Sequence, residues 1–203
     1  MRAILAASAS ILIFTGCMGS HIQQTQFYSL NKEGEFKSSL GEKMTIGLGP
    51  IYLASHLDRP NLVRQSANGK FFIYDTYRWK ESLDQAILLG VGYELKSHSP
   101  DRGVVIHPWY RSSSIDYQVI LKIDEFEPNP EGNLKLSGSF EIIDKKKNQR
   151  IRENNFAFEL KMPDQEFSNQ VKLMRESLQV LASEINRNLA LSFSVADKNK
   201  ADD

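Results

Sequence analysis

Between Ile115 and Met162 the apolar residues fall on nearly every second position in three consecutive blocks, the spacing of half-buried strands. Ile115, Tyr117, Val119, Leu121 and Ile123 alternate with Asp116, Gln118, Lys122 and Asp124, with Ile120 the one apolar intruder. After Pro128-Asn129-Pro130-Glu131-Gly132 the pattern resumes with Leu134, Leu136, Phe140 and Ile142 against Lys135, Ser137, Ser139 and Glu141. A charged turn at Lys145 to Gln149 leads to Phe156, Phe158, Leu160 and Met162. Three such blocks predict an antiparallel meander with one apolar and one wetter face. The apolar face must be covered.

Two segments can cover it. Phe167, Val171, Met174, Leu178, Leu181, Ile185 and Leu189 recur at spacings of three and four, which predicts a helix of about six turns. Asp164 after Pro163 is its expected N-cap, with Glu166 in the first turn. The stripe could serve a coiled coil, but burial against the sheet satisfies the meander directly. Ser82 to Lys96 carries Leu83, Ile87, Val91 and Leu95, a second helix weakened locally by Gly90 and Gly92. Upstream, Leu62 to Gln65 and Phe71 to Tyr74 flank Asn68-Gly69, a favoured hairpin turn because both residues tolerate positive φ. Met44 to Gly49 and Val104 to His107 are shorter strand candidates. The expected fold is α+β: a two-layer sandwich of mostly antiparallel sheet with a C-terminal meander covered by two helices.

The 203 residues suit one domain. Its 25 basic and 25 acidic side chains balance, so no overall positive field points to nucleic acid. There is one cysteine, which excludes an intramolecular disulfide and any multi-cysteine metal site. The N-terminus explains it. Arg2 supplies a positive start, and Ala3 to Phe14 is an apolar run of signal-peptide length, short of the roughly twenty residues that span a bilayer. Phe14-Thr15-Gly16-Cys17 then resembles the lipobox of bacterial lipoproteins. Small residues before the cysteine give a peptidase access to the backbone, and the thiol accepts a diacylglyceryl group. The expected organisation is a cleaved signal peptide over 1–16, a lipidated Cys17 and tether over 17–26, one domain over 27–192, and a disordered tail over 193–203. Met18, rather than Asp, after Cys17 favours the outer membrane by resemblance to the enterobacterial sorting rule.

No catalytic constellation is legible, and no cofactor or metal is expected. His21, His56, His98 and His107 are scattered and form no i, i+4 ligand pair. No serine sits in G-x-S-x-G, and no P-loop is present. Gly47-Leu48-Gly49 before Pro50 reads as a strand end or bulge. Three clusters remain as partner contacts or structural joints. Leu57-Asp58-Arg59-Pro60 puts opposite charges before a proline, where the chain is extended or turning. Phe72 to Trp79 is rich in aromatics, with Tyr77 the candidate contact and Trp79 expected in the core. Pro108-Trp109-Tyr110-Arg111 is open to either reading.

These segments together resemble a known family. Phe27-Tyr28-Ser29-Leu30 begins the likeness, followed by Ile46-Gly47-Leu48-Gly49-Pro50-Ile51 and by Tyr52 to Val63 with its Leu57-Asp58-Arg59-Pro60. Tyr77-Arg78-Trp79, Glu81-Ser82-Leu83 and Pro108-Trp109 follow, before the Tyr117-to-Phe126 strand. The chain is similar to the ABC-type transport auxiliary lipoproteins over nearly all of its mature length, departing at Lys80 and at the helix glycines. The resemblance implies a non-enzymatic outer-membrane lipoprotein on the periplasmic side. Its implied partners are an MCE-domain protein that conducts lipid across the periplasm and, indirectly, an inner-membrane permease and ATPase. Homo-oligomerisation is compatible with this. A membrane-anchored enzyme acting on lipid or glycan, or a structural envelope lipoprotein, are the alternatives.

Overall fold

The computed structural model describes residues 24–31, 36–41, 44–99, 101–109 and 114–201, with side chains as far as 191. Cys17, the signal segment and Tyr110 lie outside the described residues. The alternating blocks become β6 (Tyr117–Pro128), β7 (Asn133–Asp144) and β8 (Gln149–Lys161), antiparallel in that order. Val119 pairs with Ile142, Leu121 with Phe140 and Leu136 with Phe158, which puts the predicted apolar set on one face. A bulge between Ile123 and Glu125 shifts the phase by one, so that Phe126 continues the apolar row and Glu125 and Glu127 fall on the other.

On the other side of β6 the sheet continues through β2 (Met44–Leu53) to β5 (Arg102–Ile106), in the order β5-β2-β6-β7-β8. The expectation of mostly antiparallel pairing holds for the meander, but β2 is parallel to both of its neighbours. The reason is connectivity: long excursions separate β2 from β5 and β6 in sequence, and parallel neighbours require such crossovers. The register of β2 on β6 breaks between Leu48 and Ile51, so the Gly49-Pro50 step is the bulge that its sequence suggests.

A second, three-stranded sheet has the order β1-β4-β3, from β1 (Gln26–Tyr28), β3 (Asn61–Gln65) and β4 (Phe71–Trp79). Strand β1 begins inside the expected tether and pairs parallel with β4. The β3–β4 turn departs from expectation as well. Only Gly69 takes a positive φ, at 69°, and Ser66 donates its N–H to Lys70 O, so the loop is longer than a two-residue Asn-Gly turn.

Helix α1 (Leu83–His98) lies against β2 and β5, while α2 (Phe167–Ala201) lies against β7 and β8 and packs on α1. Val171, Met174, Leu178, Leu181, Ile185 and Leu189 are all buried, so the α2 stripe serves this core. Asp164 is not the N-cap: the helix starts at Phe167, and the Asp164 carboxylate accepts from Glu166 N and Asn169 Nδ2 in the preceding turn. Gly90 marks a close helix approach, since a Cβ there would stand 2.8 Å from Leu178 Cδ1. The α2 backbone runs helically to Ala201, through the segment expected as a tail from 193.

Candidate functional site

The small sheet is seated on the first turn of α2 by an aromatic and polar cluster. Tyr77 stacks on Phe167 with ring centroids 4.0 Å apart, and Tyr74 meets the same ring edge-on at 4.8 Å. From β3, the Arg64 guanidinium lies 4.0 Å from the Phe167 centroid. Arg64 Nε donates to Gln170 Oε1 at 2.8 Å, and its Nη2 donates to Gln165 O at 2.9 Å. Burial lowers the Arg64 pKa, with Tyr74 and Glu166 opposing that shift. Gln170 is itself buried and turns its Nε2 toward Val63 O at 3.4 Å. One helix end is thereby fixed to both strands of a hairpin.

The neighbouring joint is polar too. Ser29 Oγ donates to Glu81 Oε1 at 2.6 Å, Asn31 Nδ2 donates to the same oxygen at 2.9 Å, and Arg175 Nη2 donates to Ser29 O at 2.7 Å. Trp79 N donates to Pro60 O at 2.7 Å, tying the β2–β3 loop to the end of β4. Within that loop, His56 Nε2 lies 3.1 Å from Glu127 Oε1, and the Phe71 ring lies tilted against the His56 ring at 4.6 Å. Glu127 is only 3% exposed, and burial raises its pKa, with the Phe126 amide and His56 pulling the other way.

The expected contacts divide between two places. Tyr77 is half-buried in the aromatic cluster, and Asp58 stands exposed in the β2–β3 loop. Arg59 is half-buried, and its Nε is buried without a hydrogen-bond acceptor among the described residues. Trp79 is 5% exposed, in the core as expected. Trp109 sits elsewhere, half-buried beside Gly47 in the first half of β2, where a Cβ would stand 3.2 Å from Trp109 Cζ3 and 2.8 Å from Ile115 Cδ1. Its ring meets His107 edge-on at 5.1 Å. Arg64, Phe167, His56 and Glu127 were not legible as a group. Arg64 and Glu127 are charges beside apolar strand residues, a signal that warrants a search for partners but names none.

A crevice between Leu57, Val63, Trp79, Phe126, Gln170 and Met174 offers about 210 Å³, open solvent included. That is below the roughly 300 Å³ at which small-molecule pockets begin. Among the described residues no group of three or more His, Cys, Asp or Glu could hold a metal, and no helix is long and apolar enough to cross a membrane.

The profile of the ABC-type transport auxiliary lipoprotein component family matches residues 28–186. The chain belongs to this family. Two crystal structures share its fold. One is of an uncharacterized protein, 19% identical, with a TM-score of 0.68 over 82% of this chain and 99% of the other. The second is of a Xanthomonas campestris protein described as DUF330, 10% identical, with a TM-score of 0.65 over 85% of this chain and 99% of the other. No curated protein matches the sequence. In this auxiliary lipoprotein the segments that carried the resemblance converge. Tyr28 pairs with Trp79, Ser29 bonds Glu81, and Pro60 bonds Trp79, so four separate motifs build one joint beside the small sheet.

Proposed function

We propose that this auxiliary lipoprotein is a non-catalytic adaptor, acylated on Cys17 at the periplasmic face of the outer membrane, that docks the MCE-domain protein of a lipid transport system. One observation carries the reading. A lipobox-like Phe14-Thr15-Gly16-Cys17 stands nine residues before the first strand of a domain of a transport-auxiliary lipoprotein family. Two or more acyl chains hold a protein on a bilayer stably, where one is marginal. A domain so held meets a periplasm-spanning partner at high effective concentration, so a modest protein contact suffices. The energy comes from the permease and its ATPase. Asp58, Arg59, Tyr77, Trp109 and Tyr110 are the proposed contacts with the partner.

The experiment is a pull-down of the native lipoprotein from crosslinked envelopes. Recovery of an MCE-domain protein, lost when Cys17→Ser abolishes palmitate incorporation, is the expected result. Recovery of none, or turnover of an envelope lipid or glycan by the purified protein, overturns the adaptor reading.

A further inference from the structure

Phe71, Phe72 and Ile73 are consecutive on β4 and are 39%, 54% and 46% exposed. Successive residues of a strand point to opposite faces, so the end of this hairpin is apolar on both sides. Phe71 is partly covered by the His56 ring, but Phe72 and Ile73 each leave about half of their surface exposed, on opposite faces, and such exposure has a cost in solubility that calls for a function. Phe27 on the adjacent edge strand β1 is 64% exposed. From Gln65 to Tyr74 the chain carries Lys70 and no carboxylate, which suits an anionic surface.

The direction of β1 relates this end to the N-terminal side of the chain. Gln26 pairs with Tyr77, Phe27 with Arg78 and Tyr28 with Trp79, in parallel register. The N-terminal end of β1 therefore faces the low-numbered end of β4, where Phe71 begins. Phe71 lies six residues before Tyr77, at most about 20 Å along a strand. Cys17 lies nine residues before Gln26, and that tether reaches about 30 Å when extended. Nine residues are thus long enough to bridge the distance from Gln26 to the apolar hairpin end.

We infer that the end of the β3–β4 hairpin is a second membrane contact: Phe72 and Ile73 enter the interfacial region of the bilayer that holds the acylated Cys17, with Phe71 behind them against His56. The inference rests on the proposed acylation of Cys17. Aromatic side chains suit the headgroup level, and interfacial segments bury their apolar atoms to a depth of about 5–10 Å. The contact turns a flexibly tethered domain into an oriented one, with the small sheet against the lipid and the β7–β8 turn at the far end of β6 directed away.

The single cysteine makes the test direct. Phe72→Cys and, separately, Ile73→Cys in the acylated full-length mature protein are labelled with an environment-sensitive fluorophore. Lys147→Cys in the β7–β8 turn is the control. Each is reconstituted on vesicles of phosphatidylethanolamine and phosphatidylglycerol carrying nitroxide-labelled lipid. The expected result is blue-shifted emission and loss of intensity to the lipid quencher at positions 72 and 73, with neither at 147. Equal responses at all three positions on vesicle-bound protein overturn the inference. Shielding from aqueous iodide that appears without vesicles and grows with protein concentration assigns the hairpin to a second copy, and overturns it too. Failure of the anchoring reading looks different: two labels per chain, because Cys17 is a free thiol, and no flotation with vesicles.

Discussion

The guanidinium of Arg64 covers the ring of Phe167 at 4.0 Å, and this pair joins the small sheet to the first residue of α2. Arg64 does so with a fixed fork, bonding the Gln170 side chain and the Gln165 carbonyl at once. An ammonium cannot reproduce both bonds and the planar stacking.

Arg64→Ala should therefore destabilise the protein by about 2 kcal/mol, from a partly desolvated cation–π contact of about 1 kcal/mol and hydrogen bonds of about 1 kcal/mol each, discounted for exposure. At about 2–4 °C per kcal/mol for a domain of this size, the melting midpoint falls by roughly 4–8 °C. Arg64→Lys should recover less than half of the loss. A double-mutant cycle with Phe167→Leu checks the pair itself, and a coupling indistinguishable from zero would refute the assignment.

Gly138 is the position in the meander least tolerant of a side chain. It pairs with Ile123 beside the β6 bulge, and a Cβ there would overlap the carbonyl oxygen of Lys122. That neighbour is backbone, so no rotamer change relieves it. Gly138→Ala should cost about 3 kcal/mol or more, at the upper end of overpacking effects. Denaturant midpoints of this variant and of Ser137→Ala, one residue away, measure the difference. A smaller loss in Gly138→Ala than in Ser137→Ala would mean that the bulge yields easily.

The same glycine shows how far the sequence could be read. The alternation through Leu134, Leu136, Phe140 and Ile142 passes over position 138 without breaking, so the strand was visible and its tight spot was not. Period-two and helical patterns report which face is buried, and the meander, α1 and α2 were found that way. They carry no information on strand order. The parallel setting of β2 between β5 and β6, and of β1 on β4, comes from tertiary pairing. Gly90 read as a weak point in a helix because propensity is local, whereas its role is the close approach of Leu178 from α2. The candidate contacts were found as clusters of residue types. Grouping Tyr77 with Arg64 and Phe167 needed the fold, because those residues lie on three elements.

Glu127 should make stability depend on pH in an identifiable direction. Burial raises its folded-state pKa, so the folded protein holds this proton more tightly than the unfolded chain does. The resulting stabilisation is complete below the ordinary glutamate value of about 4.3, and is lost as pH rises through the raised value. Glu127→Gln is neutral throughout and does not lose it. The variant should match wild type near pH 4 and exceed it increasingly toward pH 7. Asp116 acts in the opposite sense: burial would raise it, but the Thr45 amide and Lys146 leave it below the usual range, so its contribution disappears as pH falls. That loss is common to both proteins and cancels in the comparison. Denaturant midpoints across the range decide the matter, and a wild type more stable than Glu127→Gln at pH 7 would show that the His56 contact outweighs burial.

Asp58 offers the cleanest test of the proposed docking face. Its neighbour Arg59 is ambiguous, because a half-buried guanidinium with a buried Nε packs as well as presents charge, and removing it changes both. Asp58 is exposed, and a surface change of this kind normally shifts stability by no more than about 0.5 kcal/mol. Reversing an interface charge, in contrast, slows association and weakens binding in a salt-dependent way. Asp58→Lys should thus leave the melting midpoint unchanged and reduce crosslinked recovery of the MCE-domain protein severalfold, with the difference greatest at low salt. Lys147→Glu, a reversal in the exposed turn at the opposite end of the sheet, should change neither quantity. If both reversals left recovery intact, the β2–β3 loop would not be part of the dock, and the adaptor reading would have to place its contact on Trp109 at the other end of β2.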